Sequence, residues 1–356
     1  MEHALRLARR GLGSVAPNPA VGCIIVSQQE RVLGRGRTAA GGRPHAETVA
    51  LAQAGDAARG ATAYVSLEPC AHHGETPPCA EALILAGVRR VVTAVDDPDP
   101  RVSGRGFARL REAGIEVACG VLSEKAALLN AGFFLRVREK RPVVTLKIAQ
   151  SLDGKTASAS GESKWITSGE ARRFGHLLRA RHDAILIGVG TALADDPELT
   201  CRVPGLEHCS PLRVVLDTRL RLEEWSKLAR SAKEIPTLVY SPGNPAAGLS
   251  NCGVEVITVA RDARGRPDIG AVLTDLAARG VTRLLVEGGA GVHASFLDRG
   301  YADRLEVFLG PVLLGEAGHS AIDALAAFTL DEAPRFKWVG RRMLGPDIVE
   351  SFEARA

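Results

Sequence analysis

One short stretch constrains this chain more than any other: Pro44-His45-Ala46-Glu47, answered by Glu68-Pro69-Cys70 and then by Cys79. One imidazole and two thiolates suit Zn²⁺, so a fold that satisfies them must bring three separate segments to one point. Three protein ligands leave one coordination position for water, which separates a catalytic site from a closed structural one. Bound zinc lowers the pKa of that water from about 15.7 to about 7. Glu47, two residues after His45, is not needed as a ligand and reads as the group that moves protons.

Cys79 opens a helical pattern, Cys-Ala-Glu-Ala-Leu-Ile-Leu-Ala-Gly, which would fix the direction of its thiol. His72 or His73 in the intervening loop are the alternative third donors. A structural zinc knuckle is the alternative for the whole cluster, although it leaves the placement of Glu47 unexplained. His-x-Glu followed by Pro-Cys is the signature of zinc nucleobase and nucleoside deaminases, with their usual Pro-Cys-x-x-Cys widened here to Cys70 and Cys79.

At 356 residues the chain has length for two domains, each with its own core. A net charge of +4 with acids and bases interspersed offers neither a nucleic-acid-binding stripe nor a polybasic membrane patch. No apolar run approaches the roughly 20 residues that span a bilayer. The first ten residues have amphipathic helical spacing and lack the apolar core of a secretory signal, so a cytoplasmic protein is expected. Seven cysteines without regular spacing argue against a disulfide framework. Cys23, Cys119, Cys201, Cys209 and Cys252 read as structural.

After a Pro/Gly-rich loop carrying Asn18, strands are expected over 23–26, 32–37, 61–67, 90–95 and 115–117, with helices over 46–54, 79–86 and 106–113. Asn18, held between two prolines, either faces a substrate or caps its own turn. His45 and Glu47 fall at a helix N-terminus, where the dipole favours negative charge. The loop 96–106 follows a strand on the side where open α/β sheets bind ligands; a plain connector is the alternative. A charged run ending at Pro142 places a domain boundary near Arg141, giving domains 1–141 and 142–356. The second part alternates again: strands over 143–149, 184–187, 213–216, 237–240, 254–259, 283–286 and 304–309, helices over 169–180 and 269–279. Asp153-Gly154 signals a tight turn. Glycine-rich strand ends at 187–191 and 286–295, the second leading into a helix, suit either turns or a dinucleotide phosphate. The alternation predicts two three-layer α/β/α domains.

The order of these motifs resembles the bifunctional riboflavin-biosynthesis deaminase–reductase family over essentially the whole chain. The motifs are Ala-Pro-Asn-Pro-x-Val-Gly-Cys, His-Ala-Glu, Glu-Pro-Cys-x-His-x-Gly-x-Thr-Pro-Pro-Cys, Ser-Leu-Asp-Gly-Lys-Thr-Ala, Gly-Glu-Ser-Lys-Trp-Ile-Thr and Val-Glu-Gly-Gly. The resemblance implies a cytidine-deaminase-like first domain, which deaminates 2,5-diamino-6-ribosylamino-4(3H)-pyrimidinone 5′-phosphate. It implies a dihydrofolate-reductase-like second domain, which uses NADPH to reduce the ribosyl group of the resulting aminouracil to ribityl. It assigns one zinc ion to His45, Cys70 and Cys79, and the proton shuttle to Glu47. Substrate contacts would fall on Ser163, Arg179, Leu199, Arg202 and Glu287, the two guanidinium groups meeting the phosphate. NADPH contacts would fall on Ala149, Trp165, Thr191, Asp195, Thr218, Gly289, Ala290, Gly291, Val292, His293, Ala294 and Ser295. A homo-oligomer, dimer or tetramer, is the implied assembly, with a small-molecule substrate and neither nucleic acid nor membrane as partner.

Overall fold

The computed structural model describes residues 1–72, 77–243, 247–327 and 329–355. The chain divides into two compact units, Met1–Arg141 and Pro142–Ala356. Both have the α/β architecture expected.

The first unit runs α1 (Glu2–Arg9), β1 (Gly22–Val26), β2 (Val32–Arg37), α2 (Ala46–Ala54), β3 (Thr62–Val65), α3 (Cys79–Leu85), β4 (Arg90–Thr93), α4 (Arg105–Glu112), β5 (Glu116–Ala118), α5 (Ser123–Leu129) and α6 (Ala131–Glu139). Its sheet has the order β2-β1-β3-β4-β5. β1 is antiparallel to both β2 and β3, whereas β3, β4 and β5 are mutually parallel. Apolar residues of β1 and β3, such as Cys23, Ile25, Ala63 and Val65, pack with Ala46, Ala50 and Leu83 from α2 and α3. The loops that follow β3 and β4 leave the carboxyl ends of parallel strands, the edge at which such sheets present ligand sites. One carries Cys70 and the other carries residues 96–104.

Glycines set how closely α2 approaches β2. A Cβ on Gly36 would lie 1.9 Å from the Ala46 carbonyl oxygen, and one on Gly34 would lie 2.1 Å from that of Ala50. Helix backbone therefore rests on strand backbone, and this contact carries the helix whose first turn holds Glu47.

The second unit runs β6 (Val143–Ser151), β7 (Lys155–Ala157), α7 (Gly169–Ala180), β8 (Ala184–Gly188), α8 (Val189–Asp195), β9 (Leu212–Leu216), α9 (Lys227–Arg230), β10 (Thr237–Ser241), α10 (Ala247–Asn251) and β11 (Glu255–Thr258). It continues with α11 (Ile269–Ala278), β12 (Arg283–Gly288), α12 (Ala290–Asp298), β13 (Arg304–Gly310), β14 (His319–Ser320), β15 (Phe336–Leu344) and β16 (Asp347–Ala354). The main sheet has the order β11-β10-β9-β8-β12-β6-β13-β16-β15, and β7 pairs with β14 apart from it. From β11 to β13 every neighbouring pair is parallel. One buried apolar layer lines each face of the sheet, which is why these strands read as continuous apolar runs.

Several features differ from the sequence expectation, among them the small β7–β14 pair and the short helices α9 and α10. Residues 336–354 form an antiparallel hairpin at the sheet edge. β15 is mostly exposed and its register shifts between Trp338 and Gly340, so no clean alternation marks it. Residues 123–139 form α5 and α6, where only a charged boundary was read. The glycine-rich segment 187–191 is the end of β8 running directly into α8.

Substituting Gly36→Ala should lower the stability of the first unit by about 3 kcal/mol, the upper end of overpacking costs, because a backbone oxygen cannot swing aside. Chemical denaturation followed by a signal local to that unit measures it.

Candidate active site

In the first unit, β3 and its following turn deliver Cys70, Cys79 begins α3, and His45 is the residue preceding α2. Their donor atoms lie within 4.8 Å of one another. His45 Nδ1 is 3.2 Å from Cys79 Sγ and 3.7 Å from Cys70 Sγ. Zinc bonds of about 2.0–2.1 Å to nitrogen and 2.3 Å to sulfur, at a tetrahedral angle, place the two donors about 3.6 Å apart. The donor set therefore fits zinc in both chemistry and spacing. Among the described residues His72 stands outside the cluster, and its buried Nδ1 has no hydrogen-bond partner there. His73 lies outside the described residues.

The two thiols are electrostatically linked. The hydrogen bond with Cys79 holds the Cys70 thiol down at about 4, helped by His45, while the same bond and burial push Cys79 well up. Glu47 is 3 % exposed, and burial first, then the negative Cys70, pushes its carboxyl up to about 7.

A cavity of about 280 Å³ is lined by Asn18, His45, Glu47, Glu68, Cys70, His72, Asp97, Asp99, Arg101 and Phe133, among others. The Asn18 side chain lies against Gly42, where a Cβ would meet its Nδ2 at 1.8 Å. Its amide makes no side-chain hydrogen bond among the described residues, so it does not cap its own turn. Asp97, in the loop after β4, is buried and its carboxyl is pushed up to about 7 by that burial and by neighbouring Asp99 and Glu68.

In the second unit, a cavity of about 650 Å³ opens at the carboxyl ends of β6, β8, β9 and β12. Ala149, Thr191, Asp195, Thr218, Gly289, Ala290, Gly291, Val292, His293 and Ser295 line it, together with Ser163 and Glu287. Ala294 is buried and is not part of that lining. The cavity has the size and backbone character a dinucleotide needs. A Cβ on Gly289 would stand 3.3 Å from Thr191 Oγ1 and narrow the gap between α8 and α12. His293 is buried, with Nδ1 3.1 Å from the Ala321 carbonyl oxygen.

Trp165 lies elsewhere. It lines two neighbouring cavities with Arg179 and Arg202, one of which also includes Ser163, Glu287 and Phe308 and the other Leu199. The indole is 68 % exposed and is held by the Arg172 guanidinium 4.0 Å from its ring centre. Leu199 is buried and has φ +55, in the left-handed region that side chains rarely adopt.

Arg179 and Glu287 form a bidentate pair, with Arg179 Nε donating to Oε1 at 2.8 Å and Nη2 to Oε2 at 2.8 Å. Nη1 donates to the Thr200 carbonyl. Burial would raise the Glu287 carboxyl, but the Arg179 and Lys147 cations outweigh it and hold it down at about 2. Arg202 is paired with exposed Glu198 and is the freer of the two guanidinium groups. Sequence reasoning missed Lys147, whose Nζ lies 3.9 Å from Glu287 Oε2 and 5.4 Å from the Phe308 ring centre. A lysine inside the otherwise apolar strand Val-Val-Thr-Leu-Lys-Ile-Ala was the available signal.

Fold and donor set together define a zinc-dependent deaminase joined to a dinucleotide-binding α/β reductase. Residues 1–95 match the family model for the cytidine and deoxycytidylate deaminase zinc-binding region, and residues 142–349 match that of the RibD C-terminal domain. The chain belongs to the RibD family. It is 42% identical over 357 residues to the riboflavin biosynthesis protein RibD of Bacillus amyloliquefaciens, covering 98% of this chain and 94% of that one. The structure of Acinetobacter baumannii RibD, form 1, superposes with a TM-score of 0.90 at 39% identity, covering 100% of this chain and 98% of the other. The Thermotoga maritima diaminohydroxyphosphoribosylaminopyrimidine deaminase/5-amino-6-(5-phosphoribosylamino)uracil reductase superposes at 0.88 with 34% identity, covering 100% and 97%. No described helix is long and apolar enough to cross a membrane.

Glu287→Gln should destabilise the second unit by about 3–5 kcal/mol by leaving a buried guanidinium uncompensated. The folded carboxyl titrates near 2 and an unfolded one near 4.3, so the pair's contribution is complete above about pH 5 and is lost as pH falls toward 2. Unfolding free energies measured across that range should converge for the two proteins at the acid end.

Proposed function

We propose that His45, Cys70 and Cys79 hold the catalytic zinc of the deaminase, that Glu47 is its proton shuttle, and that the cavities of the second unit bind NADPH and the ribosyl phosphate. The chain is a bifunctional riboflavin-biosynthesis enzyme. It deaminates 2,5-diamino-6-ribosylamino-4(3H)-pyrimidinone 5′-phosphate and then reduces the ribosyl group of 5-amino-6-(5-phosphoribosylamino)uracil to ribityl. The observation that carries the residue assignment is the three-donor cluster of His45, Cys70 and Cys79, two of whose members, His45 and Cys70, line one small cavity with buried Glu47.

Zinc supplies a Lewis acid that makes water a nucleophile near neutral pH. Glu47 takes the proton from the attacking water and returns it to the leaving amine, so water enters the ring carbon and ammonia departs. Asn18 presents a still amide to the pyrimidine. In the second unit NADPH supplies hydride. Gly289, Gly291 and the first turn of α12 offer backbone N–H groups to its phosphates, and Thr191, Asp195, Thr218 and Ala149 line the rest of its path. Lys147, beside Glu287, is the group that would supply a proton to the heteroatom bonded to the sugar carbon that receives hydride. Arg179 is occupied by Glu287, which leaves Arg202 as the principal cation for the substrate phosphate, with Ser163, Trp165 and Leu199 around it. The chain works in the cytoplasm as a homo-oligomer, consistent with a soluble small-molecule substrate.

Two outcomes test this reading. Glu47→Ala should retain one zinc per chain, lose about 10²–10⁴ in ammonia release, and still oxidise NADPH when given the aminouracil intermediate. Arg202→Met should raise the reductase KM about 10- to 100-fold for the phosphorylated intermediate, the loss of one charge-assisted contact, with little change for its dephosphorylated form.

A further inference from the structure

Glu68 is buried, with 3 % of its surface exposed, and precedes the Pro69-Cys70 dipeptide of the metal cluster. No ion pair reaches it among the described residues. Its carboxylate instead accepts four backbone N–H groups. Oε2 accepts from Asp97 at 3.3 Å and from Gly104 at 3.0 Å, while Oε1 accepts from Gly106 at 2.9 Å and from Phe107 at 3.4 Å.

Those donors have two origins. Asp97 and Gly104 belong to the loop after β4, whose Asp97, Asp99, Arg101 and Val102 line the cavity with His45, Glu47 and Cys70. Gly106 and Phe107 are in the first turn of α4, whose N-cap Gly104 has no side chain to satisfy the orphaned amides. Glu68 therefore caps α4 from the interior, where the positive end of the dipole stabilises its charge. A carboxylate has about four lone-pair directions, and all four are taken, so none remains for substrate. Gly106 completes the fit: a Cβ there would lie 2.1 Å from the Pro69 carbonyl oxygen.

We propose that Glu68 is a positioning residue of the deaminase: by clamping residues 97–107 to the segment that carries Cys70, it sets the substrate-facing loop at a fixed distance from the metal ligands. The proposal rests on the deaminase reading of the first unit.

The test is Glu68→Gln in the full-length zinc-loaded chain. A glutamine keeps the volume but retains one acceptor oxygen and turns two donors toward the N–H groups it should accept. Zinc content and the reductase constants, measured on the aminouracil, should be unchanged, while the deaminase KM rises about tenfold and kcat moves less than threefold. Unchanged deaminase constants would overturn the proposal. So would a fall in kcat at constant KM, which makes Glu68 a catalytic group, or loss of zinc, which makes it a scaffold for the metal. Amide hydrogen exchange on the wild-type chain needs no variant. The amides of Asp97, Gly104, Gly106 and Phe107 should exchange as slowly as those of β3, and exchange at the rate of open turns would contradict the clamp. Absence of ammonia release from the wild type would sink the deaminase reading itself, whereas an active wild type with an unaffected variant sinks only the role of Glu68.

Discussion

Two sulfurs and an imidazole nitrogen held within a few ångströms of one another repel unless a proton or a cation lies between them. That constraint organises the first unit. α2 begins just after one donor, α3 begins on another, and the turn after β3 supplies the third, so the sheet and two helix starts must be in place before the cluster exists. A metal that binds the folded arrangement and not the open chain adds its binding free energy to folding. Chemistry and stability are thus coupled at a single point, and the buried carboxylate of Glu47 lies in the same pocket.

The second unit solves its charge problem differently. Its sheet is parallel from β11 to β13, so one edge collects strand ends, helix N-termini and glycines, and the ligand cavities open there. Glu287 lines two of these cavities, bound to Arg179 and close to Lys147. The pair keeps one guanidinium rigid and leaves another, on the 198–202 turn, available. Two arginines that look equivalent in sequence therefore differ in what they can offer an incoming anion.

How much of this was legible depended on whether chemistry left a local mark. His45, Glu47, Cys70 and Cys79 could be read directly, because a metal demands particular residue types and a carboxylate beside water demands a particular spacing. The alternating strands and helices were equally plain, since parallel strands buried on both faces must be continuously apolar. Arg179, Arg202 and Glu287 carried no local signal and were reached through the family resemblance, since isolated charges on separate elements meet only in the fold. Lys147 was passed over although a charge amid Val-Val-Thr-Leu and Ile-Ala was visible. The edge hairpin of β15 and β16 escaped because its outer strand is exposed and bulged, which erases the period on which such readings rely. Trp165, likewise reached only through the resemblance, lines cavities that hold Ala149 and Asp195 as well as Arg179 and Arg202.

The glycine contacts between β2 and α2 bear on how this chain can vary. Ordinary cores tolerate exchange because a lost methyl on one side chain can be refilled by its neighbour. Where the main chain of a helix lies on the main chain of a strand, nothing is available to trade. Gly34 and Gly36, and likewise Gly22 beneath the Ala4 carbonyl, are therefore closed positions in any diversified library, even though none touches the metal cluster. Variation that retunes the deaminase has to enter through the loops, leaving this seam as the inherited datum from which the site is measured.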